Sequence, residues 1–426
     1  MTTDGQSDPG QPETLAINGG VKLRTTPFPS VDNADGRTIG AEEREAVLRV
    51  LDSGKLGSVV GTETKTFERE FAALYGVPYA TSTTSGTASI HVAVGAVDPA
   101  PGDEIIVPPL TDFGTVIPVL RQNAIPVFAD VDPVTGILDP ASVRSLITER
   151  TRAIILVHLF GNPAPMEEFV AIAREHDLKL IEDCAQAFLT EPDQNGKYAG
   201  TYGDIGCFSF QQSKHITTGD GGMVITSDDV LGQRMKLFVD KAWPRETGER
   251  TNLFLGANYR MTELQAAVGR AQLTKLTDVV ARRREGGQRL ASELEQIAGI
   301  RSASPAGGTF WQFPVLIDPA ASGGTNAEWA AALAGEGIPV AAGYLPRPLY
   351  DTPVLTDGQT YGGTGFPYEG VRKYELGLCP VAERLIGETL LVVAWNENYT
   401  KNDVDDIAAA FWKVGASFAG GNGERP

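Results

Sequence analysis

Between Ser82 and Thr226 the chain switches repeatedly between short apolar runs and amphipathic stretches, and this alternation limits the folds open to it. The apolar runs are Glu104–Val107, Ile125–Phe128, 153–157, 178–182, one that ends at Phe210, and 223–226; Ser82 to Ser85 leads into the first helix of the series. That helix opens with Gly86-Thr87-Ala88 and carries Ile90, Val94 and Val97; others are predicted over 113–122 and Met166–Glu175. Strands this apolar have no solvent face. Separated by amphipathic helices, they predict a mostly parallel α/β sheet covered on both sides. Ligands collect at the carboxyl ends of such strands, so the residues that follow each strand are the candidates for chemistry.

Three of these residues form a set. Ser85-Gly86-Thr87 opens a helix, where free backbone N–H groups and the helix dipole suit an anion such as phosphate, or where the turn is simply a cap. Asp183 follows Leu180-Ile181-Glu182, and a carboxylate that deep needs a partner: a protonated heterocyclic nitrogen, an arginine or a helix cap would each serve. Lys214 follows an alternating strand, with Ile205, Cys207 and Ser209 on one face and Phe208 and Phe210 on the other, and precedes the cluster Gly219-Asp220-Gly221-Gly222. Burial there would disfavour its ammonium form and leave an amine able to attack a carbonyl; the alternative is an ordinary surface lysine. Anchor, acidic partner and amine, in that order on one sheet edge, meet the needs of pyridoxal phosphate: phosphate site, pyridinium counter-ion and Schiff base.

Length and charge narrow the class. At 426 residues the chain exceeds one usual domain. Three parts are expected: a tail and arm over 1–35, a large cofactor-binding domain over 36–280 and a smaller α+β domain over 281–426. The arm has Gly19-Gly20 and two prolines and cannot build a core alone; helices are expected over 42–52 and 64–75, ended by Gly54 and Gly76. A long helical region is expected from Thr262, a strand over 309–316, a helix over 327–334, a strand over 338–341 and a last helix near Asn402, before a fraying stretch over 420–423. A formal charge of −18 argues against nucleic acid or an anionic membrane surface as main partner. The basic run Arg282-Arg283-Arg284 reads as a solvated helix face. No run is long enough to span a bilayer and the first residues lack a signal-peptide core, so a cytoplasmic location is expected. Cys184, Cys207 and Cys379 are too scattered for a metal and read as reduced core residues; the four histidines suggest no metal site either.

Several segments resemble the DegT/DnrJ/EryC1/StrS aminotransferase family: Thr84-Ser85-Gly86-Thr87-Ala88, Gly102-Asp103-Glu104-Ile105-Ile106-Val107-Pro108, His158-Leu159-Phe160-Gly161, Ile181-Glu182-Asp183-Cys184-Ala185-Gln186-Ala187, Gly219-Asp220-Gly221-Gly222 and Asn258-Tyr259-Arg260-Met261-Thr262-Glu263. The resemblance runs from about Gly40 to the C-terminus. It implies the type I aminotransferase fold, with a mostly parallel seven-stranded sheet in the large domain, a pyridoxal 5'-phosphate cofactor, a homodimer, and amination of keto groups on nucleotide sugars or cyclitols.

Residue by residue, the resemblance makes Lys214 the Schiff-base lysine and Asp183 the partner of the pyridine nitrogen. It places Gln186 near the phenolic oxygen, Phe113 against the ring face, and Gly86, Thr87 and Ser209 on the phosphate. Asn258 would reach that phosphate from the neighbouring subunit of a homodimer with a shared active site. The implied amino donor is L-glutamine or L-glutamate. The segment Leu15 to Gly20, with Pro27 to Pro29, looks more like the antibiotic-pathway members, which favours an inosose-like ketocyclitol as acceptor over a nucleotide sugar. The family's sugar dehydratases carry histidine where the aminotransferases carry lysine. Here His215 lies one place after Lys214, which favours transamination; a non-enzymatic cofactor-binding regulator is the remaining alternative. The resemblance thins around Gly343 to Tyr350, where Tyr344 and Arg347 could meet substrate or belong to a proline-fixed loop.

Overall fold

The computed structural model describes residues 13–420, so the expected tail, apart from Glu13, and residues 421–423 of the expected fraying stretch lie outside the described residues. The first sheet contains β1 (Tyr79–Thr83), β2 (Glu104–Val107), β3 (Ile125–Phe128), β4 (Thr151–Val157), β5 (Lys179–Asp183), β6 (Ile205–Ser209) and β7 (Gly222–Thr226). Its seven strands run in the order β1-β7-β6-β5-β4-β2-β3. The pairs among β3, β2, β4, β5 and β6 are parallel, and β7 is antiparallel to both its neighbours. Reversal from β6 into β7 needs no crossover helix. It leaves the intervening loop, which carries Lys214, at the carboxyl end of β6.

The alternation predicted for β6 is what the packing uses. Ile205 and Cys207 join the core that includes Ile154, Ile181 and Val224, whereas Phe208 and Phe210 join a second core with Phe67, Phe71 and Phe188. The three cysteines are free and buried. One predicted element divides: 113–122 is a 3-10 turn, Phe113–Thr115, followed by the helix Ile117–Arg121. Asp112 accepts from the Gly114 N–H and closes the first turn, and Pro118, which has no N–H, is suited only to the opening of the second.

A second sheet, antiparallel throughout, holds β8 (Ile300–Ser302), β9 (Phe313–Ile317), β10 (Val340–Ala342) and β11 (Leu390–Val393) in the order β10-β11-β9-β8. Its core takes in Trp329, Phe411 and, from the arm, Leu15 and Phe28. The arm's backbone is tied to the same unit, since Glu336 accepts from the Ala16 and Leu23 N–H groups.

The long helical region breaks into Glu263–Leu273 and Leu276–Leu294. The second helix serves both sheets: Leu276 and Val280 join the core around Phe208, and Leu290 and Leu294 the core around Trp329. The expected domain boundary at 280/281 thus falls inside one helix. That position also corrects the reading of the arginine run. Arg283 is 0% exposed and ion-paired to Glu397 at 2.6 Å, and Arg284 donates to the carbonyls of Leu189, Gly307 and Gly308. Ala281 and Glu285 keep the solvated side of that turn, and Arg283 and Arg284 point inward where the helix passes between two cores. Later in the chain, Tyr374 donates to Pro126 O at 2.8 Å and Asp130 accepts from the Val381 and Ala382 N–H groups, so the 370–382 region returns to the edge strand β3.

Candidate active site

Lys214 lies in the loop after β6, where its N–H closes a turn onto Gln211 O. The residue is 9% exposed, and its Nζ sits 3.9 Å from the centroid of the Trp311 indole. Among the described residues Nζ makes no hydrogen bond or ion pair. Burial pushes the ammonium down to about 8, against the pull of the Asp183 and Asp112 carboxylates. A useful fraction of free amine therefore exists near neutral pH.

Asp183 ends β5, next to β6 in the sheet, and is also buried. Desolvation pushes its carboxyl up, while the Ala185 N–H on Oδ1 and the Thr115 hydroxyl on Oδ2, both at 3.0 Å, favour the anion. No cation lies within ion-pair distance of it among the described residues. A second strand-end carboxylate, Glu182, contrasts with it: Glu182 Oε2 receives the His158 Nε2 proton at 3.0 Å and the Gly200 N–H, and Oε1 the Tyr202 and Gly203 N–H groups. The Ala164 N–H occupies His158 Nδ1, so the cluster of His158, Glu182 and Cys184 is a hydrogen-bonded support rather than a set of free metal donors.

At the start of the helix Gly86–Val97, Ser85 accepts from the Ala88 N–H at 3.0 Å. The Gly86 and Thr87 N–H groups remain without a partner among the described residues. Ser209, at the end of β6, faces this turn: a Cβ on Gly86 would stand 2.6 Å from Ser209 Cβ. Thr87 in turn faces Gly114, whose absent side chain leaves room for Thr87 Oγ1. Helix start, β6 end and the Phe113–Thr115 turn thus converge.

Gln186 follows Asp183 by one turn of loop. Its Oε1 accepts from the Phe160 N–H at 2.6 Å, and its Nε2 donates to the Tyr344 hydroxyl at 3.3 Å. Tyr344 packs edge-on against both Phe160 and Trp311, with centroids 5.2 and 6.0 Å away. Phe160 and Phe310 hold left-handed backbone, at φ 60° and 50°. Hydrogen bonds from Trp311 N to Phe160 O and from Thr309 N to Gly161 O over-determine both positions.

A family model described as the DegT/DnrJ/EryC1/StrS aminotransferase family matches residues 37–411. The chain belongs to that family. An L-glutamine:2-deoxy-scyllo-inosose aminotransferase of Streptomyces kanamyceticus is 34% identical to it over 95% of this chain and 98% of its own length. The solved structure of an aminotransferase from Psychrobacter cryohalolentis has a TM-score of 0.80 at 29% identity, over 93% of this chain and all of its own. An E. coli GDP-4-keto-6-deoxy-D-mannose-3-dehydratase with bound hydrated PLP has a TM-score of 0.77 at 25% identity, over 91% and 99%.

The family and the solved structure with bound PLP imply a pyridoxal phosphate cofactor, and the residues present suit it. Among the described residues, a buried amine without a partner, a buried carboxylate without a cation and two unpaired helix-start N–H groups beside a serine are the complements of an aldehyde, a protonated ring nitrogen and a phosphate. Phe113 is half-buried against the large-sheet core beside this cup. Asn258 is not brought to it. It is exposed, bridged through its backbone to Asp240, and its side chain makes no hydrogen bond among the described residues. Leu255, three residues earlier, is 91% exposed. Of the two small-domain candidates, Tyr344 lines the site, whereas Arg347 is exposed and lies 3.7 Å from Asp351. Trp311 and Thr115 carried no individual sequence signal, and Phe160 only its place in the segment His158-Leu159-Phe160-Gly161. The one signal that could have found Thr115 is its spacing of four from Thr111, to which it is hydrogen-bonded at 3.2 Å.

Proposed function

We propose that this aminotransferase moves an amino group from L-glutamine or L-glutamate to the keto group of an inosose-like cyclitol, with pyridoxal phosphate held by Lys214, Asp183, Gln186, Phe113, Gly86, Thr87 and Ser209. The observation that carries the reading is Lys214, a buried amine lowered to about 8 with no partner for its Nζ among the described residues. Bound pyridoxal phosphate supplies an aldehyde that carries the amino group and a ring that takes up the electron pair released when the substrate's C–H bond breaks. Lys214 Nζ would accept that proton and return it, as general base and then acid. Asp183, whose anion accepts from Thr115 and Ala185, would hold the proton of the ring nitrogen. Trp311, Tyr344 and Phe160 exclude water from the lysine side.

Near-complete coverage of a glutamine-dependent inosose aminotransferase supports the cyclitol acceptor. Dehydration is disfavoured because His215 is fully buried and its Nε2 is committed to Thr309 O at 3.0 Å. Asn258 and the exposed Leu255 support a homodimer in which Asn258 serves the partner's phosphate site. Purified protein should be yellow, and a screen of donors against ketocyclitols and nucleotide keto-sugars, followed through that band, tests the assignment. Bleaching by glutamine with recovery on an inosose is expected. Recovery only on a nucleotide sugar would move the acceptor, and no bleaching by any amino donor would remove the function.

A further inference from the structure

The loop that carries Lys214 is neither helix nor strand, yet its consecutive carbonyls at Gln212, Ser213 and Lys214 are all held from outside it. Trp311 Nε1 donates to Ser213 O at 2.8 Å. Arg37, from the segment that follows the arm, donates from one guanidinium nitrogen to Lys214 O at 3.0 Å and from the other to Gln212 O. Buried carbonyls need donors, and a planar guanidinium is the one side chain that offers two in a fixed fork.

Arg37 is itself buried, and it sits 3.9 Å from Glu397. The other oxygen of Glu397 is taken by Arg283, which also donates to Trp311 O at 3.1 Å. One carboxylate therefore holds the arginine that fixes the tryptophan beneath the amine and, through charge alone at 3.9 Å, faces the arginine that grips the lysine loop. The segment behind Arg37 is stitched down on both sides: Gln212 Nε2 donates to Val31 O, Asn396 Nδ2 to Gly36 O and Asn398 Nδ2 to Asp35 O, at 3.1, 3.0 and 2.7 Å.

We propose that Arg37 is a positioning residue for amino transfer: beside Glu397, it holds the Lys214 loop by the carbonyls of Gln212 and Lys214, so the amine is presented only while segment 31–37 is docked. This rests on the reading of Lys214 as the reactive amine. A lysine side chain has four rotatable bonds, so the place of its backbone decides whether Nζ stays over Trp311 and near Asp183 and Asp112 or escapes to water.

The test uses full-length Arg37→Met, with and without added pyridoxal phosphate. In cofactor-free protein, acetylation of Lys214 by acetic anhydride, followed by mass spectrometry against pH, should have its midpoint near 8 in the wild type and move towards the ordinary lysine value of about 10.4 in the variant. In loaded protein kcat should fall by about tenfold to a hundredfold with the donor KM within about twofold. If Arg37→Met does not fold, Arg37→Gln, which keeps a donor for one carbonyl and introduces no charge, should move both readings in the same direction, with kcat down about threefold. A lowered melting temperature with an unmoved acetylation midpoint would make the role merely structural and overturn the proposal. Wild-type midpoint and kcat in whichever variant folds would overturn it as well. Failure of borohydride to fix the cofactor onto wild-type Lys214 would instead sink the functional reading, and leaves the acetylation midpoint to judge Arg37.

Discussion

Of the basic side chains that the molecule buries, Arg283 and Lys214 lie near one another and are treated in opposite ways. Arg283, between the two sheets, spends its guanidinium on Glu397 and on the carbonyls of Phe310, Trp311 and Trp395. Lys214, at the carboxyl end of β6, has among the described residues only the face of Trp311 beneath its Nζ. Asp183 repeats the contrast with its neighbour Glu182, which is saturated by three backbone N–H groups and His158. A buried charge with every valence filled joins elements together. One left open, with its ionisation shifted by burial, is where stability has been given up to leave room for a ligand.

The comparison is broken most directly at Lys214. Lys214→Met should lower turnover by more than about a thousandfold and abolish borohydride fixation of the cofactor. Measurable transamination by that variant would end the lysine's role. Arg283→Met should act on the other quantity, lowering stability by about 3–5 kcal/mol in urea unfolding, because Glu397 would keep only Arg37 at 3.9 Å. A variant as stable as the wild type would show that the junction does not depend on the pair. Asp183→Asn should retain the fold and lower turnover by about a hundredfold, since the amide cannot keep a ring nitrogen protonated; unchanged kcat would remove the counter-ion assignment.

The smallest effect has the opposite sign. Without cofactor, Lys214→Met should be more stable than the wild type at pH 7 by on the order of 1–3 kcal/mol. The lysine's folded value of about 8 lies below its ordinary value of about 10.4, so the native state is penalised for carrying the ammonium. That penalty is complete below pH 8 and disappears as pH rises to about 10.4, so the gain of the variant should fade over that window. Urea unfolding at both ends measures it, and a gain that does not change with pH would mean that methionine simply packs better.

Much of this arrangement is legible in the chain because it depends on near neighbours. Apolar runs such as Ile125–Phe128 and the two-face pattern of Ile205 to Phe210 prescribe covered strands, and Asp183 and Lys214 stand out because each follows one. Gly54 and Gly76, at φ 68° and 66°, end their helices where the residue type requires. Arg283 misled for the same reason: in a run of three arginines its local pattern is that of a solvated face, and nothing within one helical turn reveals that two cores meet around it. Trp311 and Arg37 were silent because their partners, Ser213 and Lys214, are 98 and 177 residues away.

By itself, then, the sequence determined the order of strands and helices, the anion-suited turn at Gly86, and which lysine and aspartate stand at strand ends, since hydrophobic periodicity and end-capping act over a few residues. Tertiary structure alone decided which charges go unanswered. Whether a buried amine finds a carboxylate, a carbonyl or only an indole depends on segments such as Arg37, Trp311 and Glu397 that meet through folding, and desolvation shifts a pKa only once those segments have closed around it.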